Sequence, residues 1–339
     1  MTGNFQTLFG VSLVGSGSAT PAQKITNDQL AARVETNDEW VNTRTGIRER
    51  RIIGSDESLS NLSTQAAISA IEMAGWEADT VDMVLVATST PDDLFGIAPK
   101  IQAQLGATNA VAFDLTAACS GFLFALVTAA QYLQNGTFRR VIVIGADQLS
   151  SWMDWDDRRS CVLFGDGAGA VAIEATSNDK NALIAFKLKS DGSRGECLSV
   201  PQAKDFVNLV GPFKNQIGRF STIQMNGQEV YKFAVREVPL LLKDVLGNCG
   251  ISADSLDWLL LHQANQRILN AVADRFSIPK SKVLSNLENY GNTSAATIPI
   301  MLDEAVRDGR IKSKDLIASS GFGAGLSWGV ALFRWHGKS

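Results

Sequence analysis

Three residues in this chain combine reactive types with unusual settings: Cys119 in TAACSG, His262 in HQANQRI and Asn292 in NYGNTSAATIP. Cys119 follows the strand-like run Val111 to Leu115 and opens the apolar helical stretch Gly121 to Leu133. A thiol at a strand-to-helix junction meets the unpaired N–H groups and positive end of a helix. Both favour thiolate, and so nucleophilic attack near neutral pH. The alternative is a small buried apolar residue, the common fate of a free cysteine. His262 ends the apolar run Leu259 to Leu261, at the end of a strand where ligands often sit in α/β sheets. A hydrogen-bonded structural histidine is equally compatible with that position. Asn292 lies in a turn before a helix, where asparagine ordinarily caps. The glycine-rich run Gly321 to Gly325 could aim backbone N–H groups at an anionic oxygen, or simply turn the chain. Gly165 to Gly169 (GDGAG) lies between strand-like CVLF and AVAIE and reads as a bend rather than a dinucleotide loop.

These residues are distant in sequence, so the fold must bring them together. Val81 to Thr88 and Val141 to Ala146 are apolar runs of buried-strand length, and Ser58 to Ala74 has helical spacing. Buried strands alternating with helices predict an α/β protein with sheets covered on both faces. The chain also repeats itself. Residues 74–87 (AGWEADTVDMVLVA) resemble residues 249–262 (CGISADSLDWLLLH), and Gly-rich turns lead into strands at 165–175 and 325–335. That is duplication of a whole lobe, with halves 1–178 and 179–339 meeting in the polar stretch Ser177 to Asn181. Aligning the halves sets His262 against Ala87 and, after a small change of offset, Cys119 against Asn292. Lobes packed about a pseudo-twofold axis would then let the three residues share one pocket. The segment from about Asp191 to Phe220 reads as an irregular insertion that could cover a site.

Composition removes several classes of function. The 339 residues are 45% hydrophobic and 19% charged, enough for a core and unlike a disordered chain. Thirty-one Lys and Arg against 35 Asp and Glu give a net charge of −4, which argues against a nucleic-acid partner. No apolar run approaches the roughly 18 residues of a membrane span, and no cationic start precedes Lys24, so a cytoplasmic protein is expected. Cys119, Cys161, Cys197 and Cys249 make no metal-ligand spacing, and with only His262 and His336 no metal site is expected.

Taken together, the motifs DEWVNTRTGIRERR, TAACSGF, FGDGAGA, HQANQRI, NYGNTSAA and SGFGAG resemble the β-ketoacyl-acyl-carrier-protein synthase III family, over essentially the full chain. The resemblance implies a thiolase-like fold: α/β, duplicated, five-layered αβαβα, with two pseudo-symmetric halves, usually a homodimer. It also implies an initiating condensing enzyme that joins acetyl-CoA to malonyl-acyl-carrier protein without a cofactor, the CoA thioester being a substrate. Cys119 matches the acyl-carrying nucleophile, and His262 and Asn292 the pair that acts in decarboxylation. The backbone N–H groups of Cys119 and Ala324 match the oxyanion hole, although the family usually has glycine at the latter position. Trp40 and Arg158 match the residues that sandwich the adenine of coenzyme A, Thr36 and Arg44 further nucleotide contacts, and Asn265 a polar group of the pocket. Phe164 and Met225 are expected along the acyl or pantetheine path. Lys232 and Arg267 match basic positions that dock the carrier protein, while Asp274 stands beside Arg275 where the family has a basic pair. The rival readings are a condensing enzyme with a longer starter or another acceptor, a Cys-His-Asn thioester hydrolase, and a non-catalytic scaffold.

Overall fold

The computed structural model describes residues 8–338. The first half carries β1 (Gly10–Ala19), α1 (Asp38–Thr45), α2 (Leu59–Ala74), β2 (Met83–Ala87), α3 (Ala98–Leu105), β3 (Val111–Leu115), α4 (Gly121–Gln134), β4 (Arg140–Gln148) and β5 (Asp166–Thr176). The second carries β6 (Leu183–Ser190), α5 (Gly227–Asn248), β7 (Trp258–Leu261), α6 (Gln266–Arg275), α7 (Thr297–Arg307), β8 (Leu316–Gly323) and β9 (Ser327–Arg334).

Each half builds its own sheet. The first has the order β1-β5-β4-β2-β3 and the second β7-β8-β9-β6. Both repeat one pattern: β2 and β4 are parallel as β7 and β8 are, and β4–β5–β1 is antiparallel as β8–β9–β6 is. The counterpart of β3 is reduced to one parallel bridge, Leu259 to Val283. No strand of either sheet is borrowed from the other half.

Alternation along the buried strands explains the layering, because successive side chains leave a strand on opposite faces. Met83, Leu85 and Ala87 point toward the molecular centre and pack with α4 and α7. Val84 and Val86 point outward against α2 and α3. Leu260 faces the centre, whereas Leu259 and Leu261 face α5 and α6. The result is five layers, with α4 and α7 sandwiched between the sheets. A helix covered on two sides must be apolar nearly all round, and α4 is: Phe122, Leu123, Leu126, Ala129, Ala130 and Leu133 are all buried.

The duplication aligns more closely through the helix starts than through sequence identity. A short 3-10 turn, Ala118–Ser120, runs into α4, and its twin, Ser294–Ala296, runs into α7. Each turn begins on a residue in the left-handed region, Ala118 at φ 48° and Ser294 at φ 53°. Structural equivalence therefore pairs Ala118 with Ser294 and Cys119 with Ala295. The sequence alignment of Cys119 with Asn292 is displaced, because Asn292 belongs to the strand-like bridge before the turn. The two turns meet where β4 passes beneath Ala295. A Cβ on Gly145 would collide with the Ala295 carbonyl oxygen and come within 3.2 Å of Phe122 Cβ.

The predicted insertion is more ordered than its composition suggests. It holds a two-stranded pairing of Phe206–Asn208 with Lys214–Gln216 and a second of Leu198–Ser199 with Gln224–Met225. Gly145→Ala should destabilise the protein by about 2 kcal/mol, the usual scale of overpacking. A urea midpoint equal to that of the parent would show that the two lobes do not depend on this close approach.

Candidate active site

Cys119 sits in the 3-10 turn, one residue short of α4, at the wall of a cavity of about 100 Å³. His262 and Asn292 line the same cavity, with Phe164, Leu198, Met225, Asn265, Phe322 and Gly323. The three reactive residues thus converge from the start of α4, the end of β7 and the turn before α7.

The thiol is not the stabilised anion expected from the helix start. Burial pushes it up to about 12, against a lowering influence from the Ser294 hydroxyl, and the nearby Asp147 charge pushes in the same direction as burial. Desolvation outweighs the helix terminus here because Cys119 is 6% exposed. Ser294 Oγ donates to the Cys119 sulfur at 3.4 Å.

His262 is buried, and desolvation lowers it to about 3, so the ring is neutral. Phe322 meets it edge-on at 5.2 Å. Its Nδ1 pairs with Thr297 Oγ1 at 2.7 Å, which leaves Nε2 for the cavity. The Asn292 amide is divided in the same way. Its Oδ1 accepts the Ser294 N–H at 2.8 Å, which closes a turn two residues on rather than capping the helix as expected, since that helix begins after Ala296; Nδ2 keeps its donors. Asn292 itself is held by main-chain bonds to Leu163 and Gly165 at 2.8 and 3.0 Å.

The glycine-rich turns have different jobs. A Cβ on Gly323 would stand 2.7 Å from Cys119 N, so the end of β8 can lie against the nucleophile only as glycine. Ala324 follows in the turn after β8, and neither its N–H nor that of Cys119 is taken by another main-chain carbonyl. GDGAG is not a bend: Asp166 to Gly169 begin β5. Asp166 is buried and accepts from Ile53 N and from both N and Oγ of Ser150.

The arginine-rich stretch near the N-terminus separates into distinct roles. Arg48 pairs with Asp38 and Glu288, and Arg50 is buried against Ile25 O, Asn27 and Val162 O. Arg44 and Arg158 both stack on Trp40, at 4.5 and 5.2 Å from the ring centroid. Arg158 also bonds Glu35 O at 2.7 Å. Thr36 Oγ1 is buried with no hydrogen-bond partner, a polar atom waiting for one. Asn265 caps α6 through Arg267 N and bonds Arg44 O, tying the cavity to the Trp40 cluster. Lys232 is exposed and paired with Glu229, and Arg267 is exposed on α6.

Sequence reasoning missed Asp147, Ser294 and Thr297. A carboxylate ending the apolar run VIVIGAD was the available signal for the first. Among the described residues no cluster of His, Cys, Asp and Glu could hold a metal ion, and no helix is long and apolar enough to cross a membrane.

Duplicated mixed sheets enclosing two central helices, with a cysteine and a His/Asn pair at the junction, define a thiolase-fold enzyme of the condensing class. Residues 113–192 match the family described as 3-oxoacyl-[acyl-carrier-protein (ACP)] synthase III, and residues 246–335 match its C-terminal part. A β-ketoacyl-[acyl-carrier-protein] synthase III from Prochlorococcus marinus is 74% identical over 99% of both chains, and one from Synechococcus is 65% identical over the full length of both. The crystal structure of 3-oxoacyl-[acyl-carrier-protein] synthase III from Aquifex aeolicus superposes with a TM-score of 0.88 at 41% identity, covering 96% of this chain and all of that one. The Pseudomonas aeruginosa enzyme gives 0.87 at 37%, covering 96% and 98%. The chain belongs to the β-ketoacyl-[acyl-carrier-protein] synthase III family.

The neutral histidine has a measurable consequence. The unfolded chain protonates His262 below about 6.5, the folded chain only near 3. Its contribution to stability is therefore lost as pH falls through that window. The stability difference between the parent and His262→Gln should shrink between pH 7 and pH 4. A constant difference would mean the folded ring takes up a proton like a free one.

Proposed function

We propose that this chain performs the decarboxylative condensation that starts fatty-acid synthesis, joining acetyl-CoA to malonyl-acyl-carrier protein to give acetoacetyl-acyl-carrier protein, CO2 and CoA. The observation that carries this reading is the convergence of Cys119, neutral His262 and the free amide donors of Asn292 on one small cavity.

The chemistry follows from what each group offers. Acyl transfer needs a sulfur nucleophile and donors for a tetrahedral oxyanion. Cys119 supplies the sulfur. The N–H groups of Cys119 and Ala324, left free by the main chain, suit the second role, each such donor being worth roughly 3 kcal/mol. Loss of CO2 from the malonyl thioester then builds negative charge on the thioester oxygen. Asn292 Nδ2 can meet that oxygen, and His262 Nε2 joins it once the Thr297 hydroxyl turns from Ser294 O to donate to Nδ1, which puts the ring proton on Nε2. The enolate carbon attacks the acetyl group on Cys119. The apolar walls limit water, which would hydrolyse the acyl enzyme.

Trp40, Arg158, Arg44 and Thr36 suit the nucleotide of CoA: a stacking ring, two cations and an unpartnered buried hydroxyl. Lys232 and Arg267, exposed on α5 and α6, suit an acidic carrier protein. A homodimer is favoured by exposed Leu94 and Phe95 and by Val111, half-exposed on the unpaired edge of β3. The proposed setting is the cytoplasm, where both thioesters are made.

Cavity size bears on the starter. A cavity of roughly 150 Å³ takes one benzene ring, so about 100 Å³ suits an acetyl group rather than a long acyl chain. Intact mass spectrometry after adding acetyl-CoA should show one acetyl adduct on Cys119, which disappears as malonyl-carrier protein is supplied and acetoacetyl-carrier protein forms. An adduct with octanoyl-CoA but none with acetyl-CoA would move the substrate, and free acetate released without carrier would replace condensation by hydrolysis. Cys119→Ser should lose the adduct. Asn292→Ala should keep the adduct and impair its discharge. Trp40→Ala should raise the KM for acetyl-CoA by about 5- to 150-fold, from a stack worth roughly 1–3 kcal/mol. An unchanged KM would remove Trp40 from the nucleotide site.

A further inference from the structure

A thiol held up to about 12 needs somewhere to send its proton when it attacks. His262 is an unsuitable destination: it is neutral down to about 3, and its Nδ1 is occupied by Thr297. The group that touches the sulfur is the Ser294 hydroxyl, 3.4 Å away. Behind it lies Asp147, fully buried at the end of β4. The Ser294 side chain also bears on that carboxyl, as the leading hydrogen-bond influence holding it toward the anion. Asp147 Oδ1 accepts from Thr88 Oγ1, Ser89 N and Thr90 Oγ1, whereas Oδ2 accepts from Ala295 N at 3.2 Å. Three donors thus crowd Oδ1, and Oδ2 has the room to take a proton. Burial raises the carboxyl above its ordinary range, giving it more affinity for a proton than an exposed aspartate has.

We propose that Ser294 and Asp147 form the proton relay of the nucleophile. As the Cys119 sulfur bonds the acyl carbon, its S–H bond breaks. The Ser294 hydroxyl, turned from the sulfur toward the carboxyl, takes that proton on Oγ and passes its own to Asp147 Oδ2. When the tetrahedral intermediate collapses, the C–S bond to CoA breaks and the proton returns through Ser294 to the departing sulfur. Protons and charge balance without any further reactant. The other ionisable groups in the neighbourhood are His262 beside the cavity and Asp166, which feels the Asp147 charge and is held by Ser150 and Ile53 N.

The relay rests on the acyl-transfer reading, but its test has a readout independent of that reading. Alkylation of Cys119 by iodoacetamide reports how readily the sulfur loses its proton, whatever the natural substrate. Ser294→Ala should move the alkylation profile to higher pH and slow single-turnover acetylation at pH 7 by roughly 100-fold, the low end of general-base contributions, with the native circular dichroism spectrum kept and the melting temperature lowered only by the lost hydrogen bonds. Ser294→Thr, which keeps the hydroxyl, should restore part of the rate. Asp147→Asn separates relay from mere proximity, because the two predict opposite signs. If Asp147 were only a nearby negative charge, removing it would ease thiolate formation and speed both reactions at pH 7. As the proton acceptor, its loss slows acetylation at pH 7, with recovery at high pH. A faster Asp147→Asn, or a Ser294→Ala profile superimposable on the parent's, would overturn the relay. Normal relay behaviour toward iodoacetamide with no acetyl adduct in the parent would instead overturn the acyl-transfer reading alone.

Discussion

A buried carboxylate joins the two halves of this molecule beside the nucleophile. Asp147 accepts from Thr88, Ser89 and Thr90 in the first half and from Ala295 in the second. A buried charge with no partner would cost several kcal/mol, so the donors must stay in place, and every one of them lies beside a reactive group. Thr88 to Thr90 extend the strand beside the nucleophile's own strand. Ala295 is the structural twin of Cys119. The contact that satisfies Asp147 therefore also fixes the distance between the turn that carries the cysteine and the turn that follows the asparagine.

Duplication supplies the frame, and departures from symmetry supply the chemistry. Both halves offer a left-handed residue, a 3-10 turn and a central helix at the axis. Only one carries a thiol there. The other uses the same positions for polar groups that orient neighbours: Ser294 toward the sulfur, Thr297 toward His262, and the Ser294 amide toward Asn292. One segment of six residues, 292–297, thus reaches every reactive side chain. Gly323 completes the arrangement from the adjacent strand by having no side chain at all.

Much of this was legible in the sequence because it rests on local pattern. Apolar runs of strand length and the lobe repeat are one-dimensional signals, and the runs fall on strands of the two sheets. Cys119, His262 and Asn292 stood out through their junction settings and family motifs. What escaped was decided by three-dimensional burial. The helix start at Cys119 argued for thiolate, yet desolvation at the junction of two lobes is stronger, and no local pattern encodes it. Asp147 reads as the polar end of a strand until its partner from the other half is seen. The repeat offset failed by a few residues because helix starts, not identities, define structural equivalence. GDGAG looked like a bend because glycines suggest one; here they let β5 pass close to Pro299 and Ile300.

The side chains stacked around Trp40 form a closed clasp. With Arg158 5.2 Å from the ring centroid, the clasp is shut. A flat ring inserted between them needs two contacts of about 3.5 Å each, so it would enter only by prising the arginine from the indole and from Glu35 O. Whatever stacks on this indole must therefore spend binding energy opening a lock that a visitor without a flat ring never touches.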